Sequence, residues 1–259
     1  MSGTKIHPTA IVSPSAQFGT NVEVGAFSII GDDCVIGDNC VIAPRATLER
    51  YVILGNNVKI GIGTVLGGDP QDLKFKGERT TVEIGDNTVI REYSTINRGT
   101  SQSFKTTVGR GCFIMSYVHL AHDCHVGDGV ILANAVQLAG HVTVESRATI
   151  SGVTAVHQFT RIGSFSFVGG CSRVSKDVPP FIKAVGNPMK LYGLNTIGLQ
   201  RAGFSEDTLR ELKRAYRLFF RSELNVTQAI EQVNAEVEPL PEVRQLVEFL
   251  EQSQRGVAI

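Results

Sequence analysis

Six histidines occur in the chain, and five lie between residues 119 and 157: His119, His122, His125, His141 and His157. Imidazole gains and loses a proton near neutral pH and also ligates metals, so such a cluster suits proton transfer or a metal centre. Scattered surface histidines are the plain alternative. A second group is Gln71-Asp-Leu-Lys-Phe-Lys-Gly-Glu-Arg79. Lys74, Lys76 and Arg79 could pair there with phosphates, or simply be solvated. A third comprises Arg210, Lys213, Arg214, Arg217 and Arg221, which recur at helical spacing. One basic helix edge could dock an acidic partner, although most such stripes only face water.

The elements that must hold these residues follow a period of six. Counting in sixes from Ile6 to Val174, 26 of 29 positions are large aliphatics or Phe; the exceptions are Asp72, Glu78 and Gln102. A second register, four residues further on, is small or β-branched, as in Ala16, Val22, Ser28, Cys34, Cys40, Cys112, Cys124 and Ser172. Gly often follows the aliphatic, as at Gly25, Gly37, Gly61, Gly127 and Gly163, which suits a tight corner. Six is the period of neither a helix nor a simple strand. It fits a short strand plus a turn, three of which close a triangular coil. Coils stacked through parallel strand hydrogen bonds, ~4.8 Å apart, make a parallel β-helix. Periodicity leaves its handedness open, and the general preference for right-handed crossovers favours a right-handed coil.

Stacking places residues one coil apart in columns. His122, Gly140 and Gln158 form one, flanked by His141 and His157. Ser116, Asn134, Gly152 and Gly170 form another, all of them small or short. No clustered histidine falls in an inward register, so all five belong outside or at corners. Cys34, Cys40, Cys112 and Cys124 occupy the small inward register and read as reduced core residues, whereas Cys171 lies off it. Loops near 67–82 and 97–107 break the lattice, where they could close over a ligand or reach a neighbouring chain.

The repeat ends after Val174. Asp177-Val-Pro-Pro-Phe181 reads as an extended exit segment. A helix is expected after Ser205 as N-cap, a second over Thr227 to about Glu236, and a third from Pro241. Two domains follow: a β-helix over 1–189 and a small helical domain over 190–259 that covers the end of the prism.

Composition bounds the partners. Lys and Arg number 25 and balance 25 Asp and Glu, so no general electrostatic drive toward nucleic acid or anionic membrane exists. Hydrophobic residues make up 42%, which is globular, and no run approaches the ~18 apolar residues of a membrane span. The start, MSGTKIHPTA, lacks a signal-peptide pattern, and the expected compartment is the cytoplasm.

The [LIV]-Gly-x-x-x-x units resemble the bacterial hexapeptide-repeat acyltransferases. A finer set of motifs resembles one family among them, the UDP-N-acetylglucosamine acyltransferases of lipid A synthesis. These are Gln71-Asp-Leu-Lys74, Ile90-Arg-Glu92, Arg98-Gly-Thr100, His119-Leu-Ala-His-Asp-Cys124, Leu138-Ala-Gly-His141, Val156-His-Gln-Phe159, Asp177-Val-Pro-Pro180, Gly186-Asn187 and Arg201-Ala-Gly-Phe204. The likeness spans nearly the whole chain. It implies a left-handed coil, a homotrimer with sites between subunits, and transfer of a 3-hydroxyacyl group from acyl carrier protein to the sugar 3-hydroxyl. It implies no metal and no cofactor, the donor being carried on the phosphopantetheine of the carrier protein.

By the same resemblance, His122 is the general base, Asp123 orients it, and the Gly140 N–H holds the oxyanion. Asp72, Lys74, Asn97, His119, His141, His157, Gln158, Asn195 and Arg201 would surround the UDP-sugar and acyl group. Gly170 would end the acyl groove, and Arg217 and Arg221 would meet the acidic carrier protein. The chain departs from the family at Asn97, where His is usual, at Ile197, where Glu is usual, and at Ala202, where a second Arg is usual. Those departures raise a 3-amino sugar nucleotide as an alternative acceptor. Two rival readings are a γ-class carbonic anhydrase, with zinc held by these histidines, and a non-catalytic scaffold.

Overall fold

The computed structural model describes residues 3–257, so the expected domain limits at 1 and 259 lie outside the described residues. Its first part is a left-handed parallel β-helix. Short strands, most of two residues, line three faces: eleven strands on one face, nine on the second and eight on the third. Neighbours on a face pair in parallel at a shift of one coil, as His119–Leu120 does with Gln137–Leu138. From Val24 onward the aliphatic at the six-residue position is buried in each strand of the coil, which fills the prism with Ile, Val and Leu. From Val22 onward the small register is buried too. Several of its hydroxyls and thiols cap carbonyls of the next coil, as Thr64 Oγ1 does for Arg91 O (2.7 Å) and Cys40 Sγ for Gly55 O (3.1 Å). Cys34, Cys40, Cys112 and Cys124 are buried and form no disulfide, and burial raises the Cys124 thiol to about 12.

The corners differ from expectation. Glycines directly after the aliphatic do not have positive φ, Gly67 at the first interruption excepted. They are needed because the next coil passes too close: a Cβ on Gly37 would meet Gly55 O at 2.5 Å, and one on Gly163 would meet Pro180 N at 2.3 Å. The left-handed backbone sits two residues later, and mostly non-Gly residues hold it, among them Asn21, Asn39, Asn57, Asp123, His141 and Phe159. Such a residue gives up roughly 1–2 kcal/mol of backbone preference, least for Asn and Asp. The coil packing must supply it.

Both interruptions appear. The first lies between the strands Val65–Gly68 and Thr81–Ile84, and the second between Thr95–Asn97 and Lys105–Val108. Beyond the repeat, the exit segment is more than extended chain: Ile182–Gly186 joins the eleven-stranded face in parallel, and Met189–Leu194 folds back antiparallel on it. The expected boundary at 189/190 therefore falls inside a hairpin. Helices follow only from α1 (Thr196–Arg201), then α2 (Glu206–Phe220), α3 (Val226–Glu236) and α4 (Pro241–Glu251). Ser205 caps α2 through the Thr208 N–H (3.1 Å), and Asn225 with Gln228 forms a capping box on α3. Leu212, Leu246 and Leu250 continue the apolar core of the last coil, around Val174, Val178 and Phe181. Among the described residues no helix is long and apolar enough to cross a membrane.

Candidate active site

His122 and Asp123 occupy the corner between the nine- and eight-stranded faces, just after His119–Leu120. The positive φ of Asp123 turns its side chain back beside that of His122. His122 Nδ1 lies 2.8 Å from Asp123 Oδ2. Asp123 is 1% exposed and also accepts from the Thr100 N–H (2.9 Å), the Thr100 hydroxyl (2.8 Å), the Ser103 N–H (3.3 Å) and the Ser103 hydroxyl. Burial works to raise its carboxyl. The hydrogen bonds from Ser103, His122 and Thr100 outweigh that and hold it at about 2. An ionised acceptor at Nδ1 places the imidazole proton there and leaves Nε2 as a free lone pair.

One coil above stands Gly140. A Cβ on it would come within 2.7 Å of His122 Cε1 and 2.8 Å of Nε2, so only glycine fits over the basic edge of the ring. The Gly140 N–H has no acceptor among the described residues. The site thus joins a lone pair and an uncommitted amide donor, the two groups acyl transfer requires.

His141 follows at the same corner. Its ring stacks on Phe159 (centroids 4.4 Å apart, 3° between planes) and meets His122 edge-on at 5.0 Å. Burial depresses its proton affinity, opposed by Asp123 at 3.8 Å, and the charge of Asp72 also reaches it. The first loop is therefore close enough to act on this corner. His119 lies on the nine-stranded face with Nδ1 2.7 Å from Thr95 Oγ1, and burial lowers its proton affinity too. Both rings are neutral donors or acceptors near pH 7. His125 lies on the eight-stranded face, beside Thr107 Oγ1.

The other expected site residues are more dispersed. Gln158 and His157 are exposed in the coil above Gly140, and Arg255 from the chain's tail reaches His157 Nδ1 at 3.0 Å. That tail contact had no signal in the sequence pattern. Lys74 is exposed on the first loop. Asn97 is only 9% exposed, and its amide donates to Asp69 O (2.6 Å), so it braces the loop base. Asn195 is the N-cap of α1 and also donates to Phe165 O (3.0 Å), while Arg201 is exposed at the end of that helix. Gly170 is exposed at the other edge of the nine-stranded face, between two and three coils (~13 Å) further along the axis than His122.

The basic stripe on α2 is less uniform than its spacing. Arg210 pairs with Asp207, and both Arg210 and Arg214 bind Glu211. Arg221 donates to Leu191 O (2.8 Å) and packs over Tyr216. Lys213 and Arg217 carry the remaining charge toward a groove of about 670 Å³ between α2 and the strand Met189–Leu194. Among the described residues, the group with metal-ligand spacing is His122, Asp123 and His141. Nδ1 of His122 and both carboxylate oxygens of Asp123 already take part in hydrogen bonds there with Thr100, Ser103 and each other.

A left-handed β-helix bearing a His–Asp pair under an open backbone amide defines a hexapeptide-repeat acyltransferase. The family model for bacterial transferase hexapeptide repeats matches residues 15–50, 27–62 and 105–140, and that for UDP-N-acetylglucosamine O-acyltransferase, domain 2, matches 177–258. The chain belongs to the UDP-N-acetylglucosamine O-acyltransferase family. It is 47% identical to the acyl-[acyl-carrier-protein]–UDP-N-acetylglucosamine O-acyltransferase of Thermodesulfovibrio yellowstonii, over 98% of both chains. To the protein of that name from Sulfurihydrogenibium it is 49% identical, over 98% of this chain and 94% of the other. The crystal structure of the UDP-N-acetylglucosamine acyltransferase from Bacteroides fragilis superposes with a TM-score of 0.97 at 42% identity, over 98% of this chain and 100% of that one. None of these relatives is named for amide formation or for a zinc enzyme.

Proposed function

We propose that the chain transfers a 3-hydroxyacyl group from acyl carrier protein to the 3-hydroxyl of UDP-N-acetylglucosamine, the first step of lipid A synthesis. The observation that carries this reading is the free Nε2 of His122 beneath the open amide of Gly140, in a chain of this family. His122 Nε2 takes the proton of the sugar hydroxyl as that oxygen attacks the thioester carbonyl. Asp123 stays ionised and stabilises the imidazolium that forms. The Gly140 N–H stabilises the oxyanion of the tetrahedral intermediate. Collapse breaks the C–S bond, and the imidazolium returns its proton to the departing phosphopantetheine thiolate. No metal or cofactor takes part.

The remaining residues divide by position. Asp72, Lys74, Asn97, His119, His141, His157, Gln158, Asn195 and Arg201 bind or brace the sugar nucleotide and the acyl group. Gly170 ends the acyl groove, and Arg217, with Arg221 behind it, meets the acidic carrier protein in the cytoplasm. The working assembly is a homotrimer with the site between subunits. Supporting this are Phe27 (61% exposed), Tyr117 (60%) and Val153 (65%), apolar residues on one corner of the prism that a single chain leaves in water. The test is an acyl-transfer assay with 3-hydroxyacyl carrier protein and, in parallel, UDP-N-acetylglucosamine and its 3-amino analogue. Ester formation on the first acceptor is expected. Turnover of the 3-amino analogue alone would overturn the acceptor assignment.

A further inference from the structure

The second interruption of the repeat is built around a single carboxylate. Its six extra residues lie between the strands Thr95–Asn97 and Lys105–Val108 and close over the corner that holds Asp123. Four donors in this short segment end on Asp123: the N–H and hydroxyl of Thr100 and the N–H and hydroxyl of Ser103. Thr100 is 5% exposed, so its hydroxyl is held away from water. The loop is itself anchored. Arg98, 2% exposed, donates to Gly67 O (3.1 Å), Glu78 O (3.3 Å) and Thr80 Oγ1 (3.3 Å), pairs with Asp69, and lies between the rings of Tyr51 and Phe75.

We infer that Thr100 and Ser103 are positioning residues for acyl transfer: through Asp123 they set the orientation and proton affinity of the His122 base. This rests on the reading of His122 as that base. Thr100, Ser103 and His122 compete for one carboxylate. Donors to Asp123 disperse its charge, and each hydroxyl removed leaves a more basic oxygen facing His122 Nδ1–H. A more basic partner holds the imidazolium more tightly, and the base then becomes neutral only at higher pH. The other titratable groups facing Asp123 are His141, at 3.8 Å, on which Asp72 and His125 also act, and the buried thiol of Cys124. The insertion itself presents only N–H and hydroxyl groups to the carboxylate.

The test compares the pH dependence of kcat/KM for the wild type, Ser103→Ala, and Thr100→Val with Ser103→Ala, together with thermal unfolding of each. We expect the acid limb to move up by about half a pH unit or more in the double variant and by less in the single one. The loss of activity relative to wild type is then larger at pH 6 than at pH 8. Thr100→Ser with Ser103→Thr, which keeps both hydroxyls, should bring the limb back toward the wild-type position. A loss of the same factor at every pH, whatever the melting temperature, would overturn the inference; Ser103→Ala alone decides it if the double variant does not fold. His122→Ala serves as the control. If it retains activity, the underlying reading of the base has failed. If it is inactive while the acid limb of the Thr100 and Ser103 variants stays in place, only the positioning role has failed.

Discussion

Gly140 lies against the basic edge of His122 so closely that a Cβ there would stand 2.8 Å from Nε2. His122 can retreat only by giving up its hydrogen bond to Asp123. Gly140→Ala keeps the backbone N–H but displaces the base, and should therefore lower kcat/KM by about a hundredfold or more. The φ of Gly140 is not positive, so alanine is compatible with the backbone and the coil should persist. Kinetics together with a melting curve check this. Near-normal turnover would show that the reacting atoms lie elsewhere.

Asp123 supplies a pH prediction with a definite sign. Its carboxyl is held at about 2, below its ordinary value of 3.8. A depressed folded-state value adds stability above the ordinary value, and that stability is lost as pH falls through the folded one. Wild type should therefore exceed Asp123→Asn in unfolding free energy at pH 7. That margin should shrink by about 2 kcal/mol between pH 5 and pH 2. Denaturant unfolding across this range measures it. A constant margin would mean that the carboxylate is not held as the hydrogen bonds imply.

Sequence periodicity reveals the coil because one buried aliphatic per six residues leaves little freedom in where each strand lies. The column of His122, Gly140 and Gln158 follows from the same arithmetic. Other features do not propagate in sixes. Thr100 and Ser103 lie in an insertion, where the period says nothing about what they touch. The left-handed corners at Asp123 and His141 are hidden because most corner residues are not glycine. Asn195 matches the family as a ligand residue, yet its side chain caps a helix of six residues, too short for periodic signals. The hairpin from Ile182 to Leu194 is masked by Pro179, Pro180 and Pro188, which read as extended chain and turn.

Gly170 should govern acyl length. A Cβ there would meet Gly152 O at 3.3 Å, which a shift of a few tenths of an ångström relieves, and its φ is not positive. Gly170→Met is thus compatible with the fold and would fill the end of the groove. Each methylene buried in an apolar groove is worth about 0.8 kcal/mol, so donors that fit should be clearly preferred. We expect a wild-type preference for long donors, of about 14 carbons, as the family resemblance implies. The Met variant should prefer shorter ones. Values of kcat/KM for donors of 10 to 16 carbons would show it, and an unchanged profile would remove Gly170 from this role.

The groove beside α2 should carry the carrier-protein contact, with the effect concentrated on unpaired cations. Lys213→Glu with Arg217→Glu should raise the KM for acyl carrier protein several-fold to about tenfold at low salt, and leave UDP-sugar binding unchanged. Added salt should erase the difference. Arg221→Glu is a poorer probe, since its bond to Leu191 O also ties α2 to the hairpin. A KM that ignores both the substitutions and salt would return the stripe to ordinary solvated charge.

The central claim is that His122 is the general base, and its most direct test is the acyl-transfer rate of His122→Ala. The side chain is largely buried but lies outside the prism core, so truncation should leave melting temperature and assembly nearly unchanged. A fall in kcat of about a hundredfold or more is expected with UDP-N-acetylglucosamine as acceptor. Retention of more than about a tenth of wild-type kcat by a folded variant would contradict it, since general-base catalysis is worth at least that much.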